Sequence, residues 1–269
     1  MKPKLSVIIP VYNEAKHIGN CLSSLQGQTL KPKEIIVIDD SSTDDTKDVI
    51  LNLKPQTLNL KVFQQKHLGA GSARNLGAQK ATGEILVFID ADMEFDPDFL
   101  KDLTRPIQLS RTKGTFSKNE LVKNWANPWA KAFSFCLGLK DNHLIPKDHP
   151  PTSPVFRAIL KSEFDRVGGF DTSRGYDDDW SLSERVGYQA IATKAVYYHF
   201  NPETLSEIFH QARWRATRKY KLGLLGKIAA VFKLKLIIFK PPFNPVTLLA
   251  KITFIFGTKI GLFFPKISK

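Results

Sequence analysis

The sequence predicts an α/β protein, with a mainly parallel sheet flanked by helices and a basic, apolar helical tail. Three observations carry this reading. Over the first hundred residues, short β-branched runs alternate with helical patterns, as βαβ units do. Three of these runs end in polar, mostly acidic clusters, where a parallel sheet gathers its ligand-binding residues. Residues 208–269 contain thirteen of the 39 Lys and Arg and no Asp or Glu. The other 26 basic residues balance the 26 acidic ones, so residues 1–207 are formally neutral and the charge of +13 belongs to the tail.

In chain order, Leu5–Ile9, Ile35–Asp39, Leu60–Gln64 and Ile85–Asp90 read as strands, because each is a short apolar run bounded by turn formers. Glu14–Leu25, Thr43–Leu53 and Ser72–Ala81 read as the helices between them. The second is introduced by a Ser-Ser-Thr capping cluster and the third is ended by Gly83. Asp96-Pro97 opens a fourth helix that runs to about Leu109. Residues 110–152 show no clean period and carry Trp125, Trp129 and His143, so they read as a functional loop or small insertion that contacts a ligand. Val155–Leu160 reads as a strand, Tyr176–Arg185 as a helix and Ala190–Tyr198 as a last strand. Asn201-Pro202 then offers a cap and a first helical turn. The expected division is a catalytic domain over 1–207 and a tail over 208–269.

Met1-Lys2-Pro3-Lys4 runs directly into the first short strand without the apolar stretch of a secretory signal, so a cytoplasmic location is expected. Cys21 and Cys136 are far apart and lack neighbours at metal-ligand spacing, so both read as packing residues.

The acids at the strand ends carry the chemistry. The first strand leads to Pro10-Val11-Tyr12-Asn13-Glu14, the second to Asp39-Asp40-Ser41 and the fourth to Asp90-Ala91-Asp92. An acid at a strand end is most often a cap or turn former. Three in register on one sheet are harder to assign that way. The i, i+2 pair Asp90 and Asp92 emerges where buried backbone meets solvent, and its hard oxygens suit Mg²⁺ or Mn²⁺ bound together with phosphate oxygens.

Four segments, in order and spacing, resemble glycosyltransferase family 2. They are Ser6–Glu14, Ile36–Asp44, Ala73-Arg74-Asn75-Leu76-Gly77 and Phe88-Ile89-Asp90-Ala91-Asp92, and the likeness extends over about residues 4–200. The resemblance implies a Rossmann-like GT-A fold, a nucleotide-diphosphate-sugar donor and inversion at the anomeric carbon. It also implies that Pro10, Tyr12 and Glu14 line the base and ribose, that Asp40 meets the base and that Arg74 lies near the nucleotide. Asp92 is the implied metal ligand, with Asp90 close to ribose and metal. A later family signature, an acidic pair followed by Leu and Arg on one helix, is similar to Asp178-Asp179-Trp180-Ser181-Leu182-Ser183-Glu184-Arg185. Asp178 stands where Glu is commoner, and Leu182 and Arg185 set the register. Asp179 is then the implied base that deprotonates the acceptor hydroxyl. Asp178 is its neighbour in the catalytic pair; the preference of acids for a helix N-terminus accounts for Asp177 and is the alternative reading of Asp178. His199, after the last strand, stands where some relatives supply a further metal ligand, although a lone His at a strand end is more often structural. Gln211-Ala212-Arg213-Trp214 is similar to a signature of processive synthases but one residue short of it, and reads better as part of a basic amphipathic helix.

In the tail, Leu222–Phe239 and Phe243–Phe264 are apolar runs interrupted by lysines. The second is long enough to span a bilayer, but Lys251 and Lys259 would each cost about 2.5–3.5 kcal/mol near its centre. At helical spacing Lys251, Lys259 and Lys266 share about a quarter-turn. That predicts a helix lying in the interface, peripheral on the cytoplasmic face, with its lysines near anionic head groups. The competing expectation is a helix packed on the catalytic domain.

Rival classes fare worse. A nucleotide-binding oxidoreductase wants a Gly-rich turn after the first strand, and this sequence has none there. A nucleotidyltransferase would share sheet and carboxylates but release pyrophosphate. A non-enzymatic nucleic-acid binder would use the basic tail, yet the tail's lysines are interleaved with aliphatic and Phe residues, so no nucleic-acid partner is expected. The expected donor is a UDP-sugar, the commonest in the family, with GDP-mannose and dTDP-sugars open. The expected acceptor is a hydroxyl of a glycan or lipid-linked precursor of the cell envelope.

Overall fold

The computed structural model describes residues 3–53, 59–217 and 223–264, without the side chains of 175–178, 224–225 and 231–236. The chain packs as two units, Met1–Glu120 with Lys147–Ser173 and Asp178–Tyr198, and Leu121–Pro146 with Arg174–Asp177 and His199–Lys269. The second unit is therefore larger than the expected tail, since it begins at His199 and includes residues 121–146.

The first unit is built on a sheet whose strands are β1 (Leu5–Val11), β2 (Glu34–Asp39), β3 (Leu60–Gln64), β4 (Ile85–Phe88), β5 (Met93–Phe95), β6 (Gly114–Val122), β7 (Thr152–Ser153), β8 (Ala158–Leu160) and β9 (Ala190–His199). The order is β3-β2-β1-β4-β8-β6-β9-β5, and β7 pairs with β9. The β3-β2-β1-β4 half is parallel, whereas β8 is antiparallel to both β4 and β6. Every residue of β1, β2 and β4 is buried, so these strands read as largely apolar runs, with Ser6, Glu34 and Asp39 as buried polar exceptions. Their side chains alternate between two cores. Val7, Ile9, Ile35, Val37, Ile85 and Val87 join one, and Ile8, Ile36, Ile38, Leu86 and Phe88 join the other.

The first core is closed by α1 (Ile18–Gln26), α2 (Thr46–Leu53) and α4 (Phe99–Gln108). The second is closed by α3 (Ala70–Lys80), α6 (Lys161–Arg166) and α7 (Asp178–Val186), the last preceded by a 3-10 turn over Thr172–Asp177. Gly77 lets α3 lie close on β1, because a Cβ there would stand 2.5 Å from Ile8 Cγ2. That approach sets Arg74, one turn earlier, at the carboxyl ends of the strands.

Several elements differ from the sequence reading. α1 starts four residues late because Asn13 adopts a left-handed φ of 54° and residues 14–17 form a turn. The span 110–152 contains β6, α5 (Pro128–Cys136) and β7 rather than a loop. α5 has a cap that local sequence spells out, since Asn127 Oδ1 accepts from the Trp129 and Ala130 N–H groups and Pro128 opens the helix. α8 (Leu205–Arg215) is capped by Thr204, whose hydroxyl accepts from Glu207 N–H, and not by Asn201. Asn201 is buried and donates instead to Ala130 O and Ser134 Oγ.

Within the second unit α5, α8, α9 (Gly223–Ile238) and α10 (Pro245–Phe263) enclose a third core around Phe133, Ile208, Ala212, Ala250, Phe254 and Leu262. Lys251 corrects the expected lysine stripe: it is fully buried, its ammonium donating to Lys240 O and, at 3.0 Å, to Pro242 O beneath the Phe243 ring. Lys266 lies outside the described residues. Cys21 and Cys136 are buried free thiols, as packing residues should be.

Candidate active site

The loops after β1 and β2 are tied together by short polar side chains. Asn13 Oδ1 accepts from Thr43 N–H, Ser42 Oγ accepts from Asn13 N–H, Thr46 Oγ1 accepts from Glu14 N–H and Asp44 accepts from Ala15 N–H. Asp39 accepts from Ser42 N–H, closing a turn of its own. These bonds use backbone donors that the strand ends leave unmatched, and they hold Tyr12 and Glu14 half-buried beside the end of β2. Pro10 is buried within β1, opposite Ile38.

Asp40 is 3% exposed and anchors the segment after β3. Its Oδ1 accepts from Gln65 Nε2 at 2.6 Å and Leu68 N–H at 2.8 Å, and its Oδ2 accepts from Gly69 N–H at 2.9 Å. His67 Nδ1 lies 3.0 Å from the same Oδ2, and the His67 ring stacks on Tyr12 with centroids 4.2 Å apart. Asp40 thus acts through Gln65 and His67, which sequence reasoning missed. It shapes an aromatic pair at the strand ends while its own oxygens are already engaged.

The charged centre is a chain of alternating sign. Arg74, 7% exposed at its side chain, donates from Nη1 to Asp179 Oδ1 at 2.8 Å and from Nη2 to Asp90 Oδ1 at 2.7 Å. The other Asp90 oxygen accepts from Arg157 Nη1 at 3.1 Å. Arg157 lies 5.6 Å from the centroid of the Tyr197 ring, and the Tyr197 hydroxyl donates to Glu120 at 2.8 Å. Burial opposes the Arg157 charge, but Tyr197 and the Asp90, Glu120 and Asp179 carboxylates outweigh it and hold the guanidinium firmly protonated. Arg157, Tyr197 and Glu120 were not legible as site residues. Residues 74, 90 and 179, far apart in sequence, meet in one cluster. The Asp178 side chain lies outside the described residues.

A divalent ion would find a sparse donor set here. Among the described residues, no three of His, Cys, Asp and Glu are placed to enclose a metal. Asp90 already faces two guanidiniums, and His199 closes β9 in the second unit, where its carbonyl accepts from Lys123 N–H. Asp92 is half-buried just beyond β4. Burial pushes the Cys21 thiol well up, and the charges of Asp92, Asp90, Glu14 and Glu94 push it in the same direction. The half-buried carboxylate of Asp92, two residues after the guanidinium-paired Asp90, fits Mg²⁺ or Mn²⁺, which complete their shells with phosphate oxygens and water.

The family profile described as Glycosyl transferase family 2 matches residues 6–168. Glycosyltransferase GlyG of Streptococcus pneumoniae is 30% identical over 230 residues, covering 75% of this chain and 70% of that protein. The GalNAc(5)-diNAcBac-PP-undecaprenol β-1,3-glucosyltransferase of Campylobacter jejuni is 42% identical over 94 residues, 34% of this chain and 30% of its own. The chain spans about a third of the length of several curated relatives, 37% and 30% in two cases. Among solved structures, the mannosyltransferase PcManGT of Pyrobaculum calidifontis, in complex with GDP-Man and Mn²⁺, superposes with a TM-score of 0.61 at 21% identity. That superposition covers 97% of this chain and 73% of that one, and the shared fold is GT-A.

Proposed function

Because the chain belongs to glycosyl transferase family 2, we propose that it transfers a sugar from a nucleoside-diphosphate donor to a hydroxyl of a glycan or lipid-linked acceptor, with inversion. The observation that carries the mechanism is the single guanidinium of Arg74 shared by Asp90 and Asp179. Asp90 stands at the strand ends, where a GT-A fold receives its donor, and Asp179 sits on α7, the helix assigned to the acceptor. One rigid group therefore sets the distance between the two ends of the reaction.

Asp179 takes the proton of the acceptor hydroxyl as that oxygen attacks the anomeric carbon. The bond from the anomeric carbon to the diphosphate oxygen breaks on the opposite face, and the electron pair leaves with the nucleoside diphosphate. The negative charge that grows on the leaving group meets the positive charge of Arg74. A divalent ion held by Asp92 and diphosphate oxygens would supply further charge neutralisation there. The Tyr12 and His67 rings offer the base a stacking face. Trp180, next to Asp179 and 52% exposed, offers an apolar face to an acceptor ring. UDP-sugars are the proposed donors. The complex of PcManGT with GDP-Man and Mn²⁺ supports a nucleoside-diphosphate sugar as donor class, and the undecaprenol-linked acceptor in the name of the Campylobacter relative supports a lipid-linked acceptor class.

The test is a screen of purified protein against UDP-, GDP- and dTDP-sugars with and without Mn²⁺, repeated with Asp179→Asn. We expect sugar transfer to be lost in the variant while donor affinity stays within about threefold. Full turnover by Asp179→Asn would remove Asp179 from the role of base. Release of pyrophosphate instead of nucleoside diphosphate would replace the transferase reading with nucleotidyl transfer.

A further inference from the structure

Among the described residues, fifteen large hydrophobic side chains are exposed, and nine of them fall between Ile238 and Phe264. They follow a helical pattern. At 100° per residue, α10 divides into two arcs. Ala250, Lys251, Phe254, Gly257, Gly261 and Leu262 are buried on one side. Leu248, Leu249, Ile252, Phe256 and Phe263 are exposed within about 100° on the other, and the one charged residue in that arc is the exposed Lys259. Phe239 and Phe243, 76% and 69% exposed just before α10, extend the same kind of surface. These seven side chains leave on the order of 700 Å² uncovered, more than the few hundred Å² of apolar patch that a monomer ordinarily shows.

The buried arc is fixed by the protein itself. A Cβ at Gly257 or Gly261 would strike the carbonyl oxygen of Phe209 or Arg213, so this glycine pair presses α10 against α8. Phe254 meets Phe133 of α5 edge-on at 5.9 Å. Lys251 is committed to the carbonyls of Lys240 and Pro242. α10 has 19 residues and a mean hydropathy of 1.6 over its best window, which would allow it to cross a bilayer, but half of that window is buried against its own unit.

We propose that the exposed arc of α10, with Phe239 and Phe243, is a monotopic membrane-docking face. It seats in the acyl boundary of an anionic bilayer while the helix lies along the surface. Charge selects this occupant. Residues 208–269 contain thirteen basic and no acidic residues, so a second copy docked face to face would oppose two positive surfaces, whereas anionic head groups complement them. Lys259 suits the depth, because its aliphatic stem can run between Phe256 and Phe263, its exposed neighbours three and four residues away on the same arc, while its ammonium reaches phosphate. The expected lysine stripe is thereby replaced: lipid meets Phe, Leu and Ile, and Lys251 serves the interior. This inference rests on the second unit alone and does not depend on the donor chemistry.

The test is cosedimentation of the full chain with vesicles of phosphatidylcholine, with or without roughly a third phosphatidylglycerol. We expect binding to the anionic vesicles and release by alkaline carbonate. Ile252→Glu/Phe256→Glu should bind about tenfold more weakly or worse, with unchanged circular dichroism and elution volume. Lys259→Gln should lose only part of the gain from phosphatidylglycerol. Failure of the wild-type chain to bind either vesicle overturns the proposal, as does equal binding by the folded double variant. Retention after carbonate would make α10 a span instead. A dimer that the double variant dissolves, without vesicle binding, would assign the face to a second copy.

Discussion

Replacing Asp40 separates two roles that the sequence alone assigns to one. If Asp40 mainly met the donor's base, Asp40→Ala would cost affinity and leave stability almost untouched. The structure instead gives its carboxylate three donors at 2.6–2.9 Å, from Gln65, Leu68 and Gly69, together with the His67 ring. A hydrogen bond to a charged group is worth about 1.5–3 kcal/mol, and an unmatched buried donor costs about 1–3 kcal/mol. Leu68 is exposed and its N–H can turn to water, so the three do not add in full. The expected loss for Asp40→Ala is about 2–4 kcal/mol. Asp40→Asn keeps one acceptor oxygen but turns an amide towards Gly69 N–H, donor against donor, for about 1–2 kcal/mol. Urea unfolding should therefore rank wild type above Asn and Asn above Ala, at unchanged slope. Donor affinity should fall in the same order, because the segment that positions His67 against Tyr12 loosens. If Asp40→Ala unfolded at the wild-type midpoint while losing donor affinity, the anchoring role would be refuted.

Arg157→Met should lower kcat at least tenfold with a smaller change in donor KM, because Asp90 loses one of its two guanidiniums and the Arg74 bridge to Asp179 loses its fixed end. Arg157→Lys should recover part of that loss, and steady-state kinetics on the three proteins checks both. For Glu34, burial raises the carboxyl, but hydrogen bonds from Lys61, Ser6 and Thr82 outweigh it and hold the pKa at about 2 against an ordinary 4.5. A depressed folded-state pKa contributes stability that is present above the unfolded value and lost as pH falls. The stability gap between wild type and Glu34→Gln should therefore be constant above about pH 5 and shrink from there towards pH 2, as acid titrations of unfolding will show. Lys251→Met should destabilise by about 1–3 kcal/mol, since two carbonyls lose their donor, whereas Lys251→Glu would bury a charge facing those carbonyls and should fail to yield soluble protein; differential scanning calorimetry and expression yield measure the pair.

The sheet was legible where both of its faces are covered. β1, β2 and β4 are buried throughout, so apart from Ser6 and Glu34 each appears in the sequence as a short apolar run followed by acidic residues. β6 was not legible, because its second half, Lys118–Leu121, is only half-buried and alternates polar side chains with no apolar period. The cap at Asn127-Pro128 was a local signal that went unread, because aromatic residues on either side suggested a binding loop. Arg157 lies deeper. Nothing in Pro154-Val155-Phe156-Arg157-Ala158 distinguishes it from a polar break ahead of a strand, and its partner Asp90 is 67 positions upstream. Only the antiparallel return of β8 beside β4 brings the two together, since Phe88 N–H bonds to Arg157 O just before Asp90 emerges. The family signature could place Arg74, Asp90 and Asp179 because each is written in a local motif, while the residue that holds Asp90 from the other side is set by topology.

The same distinction explains the tail. A helical wheel puts Lys251 and Lys259 on one stripe, and periodicity gives no reason to separate them. The separation comes from what the chain brings back over the start of α10. The Lys240 and Pro242 carbonyls have no helical partner, and a lysine eleven and nine residues later satisfies them. Lys251 is then a capping residue for the turn that leads into α10, and its charge is spent inside the unit. Lys259 has no such turn above it and stays in the apolar arc. Substituting the two in parallel distinguishes these roles: Lys251→Met should move the unfolding transition and Lys259→Gln should move vesicle binding, each leaving the other measurement near wild type.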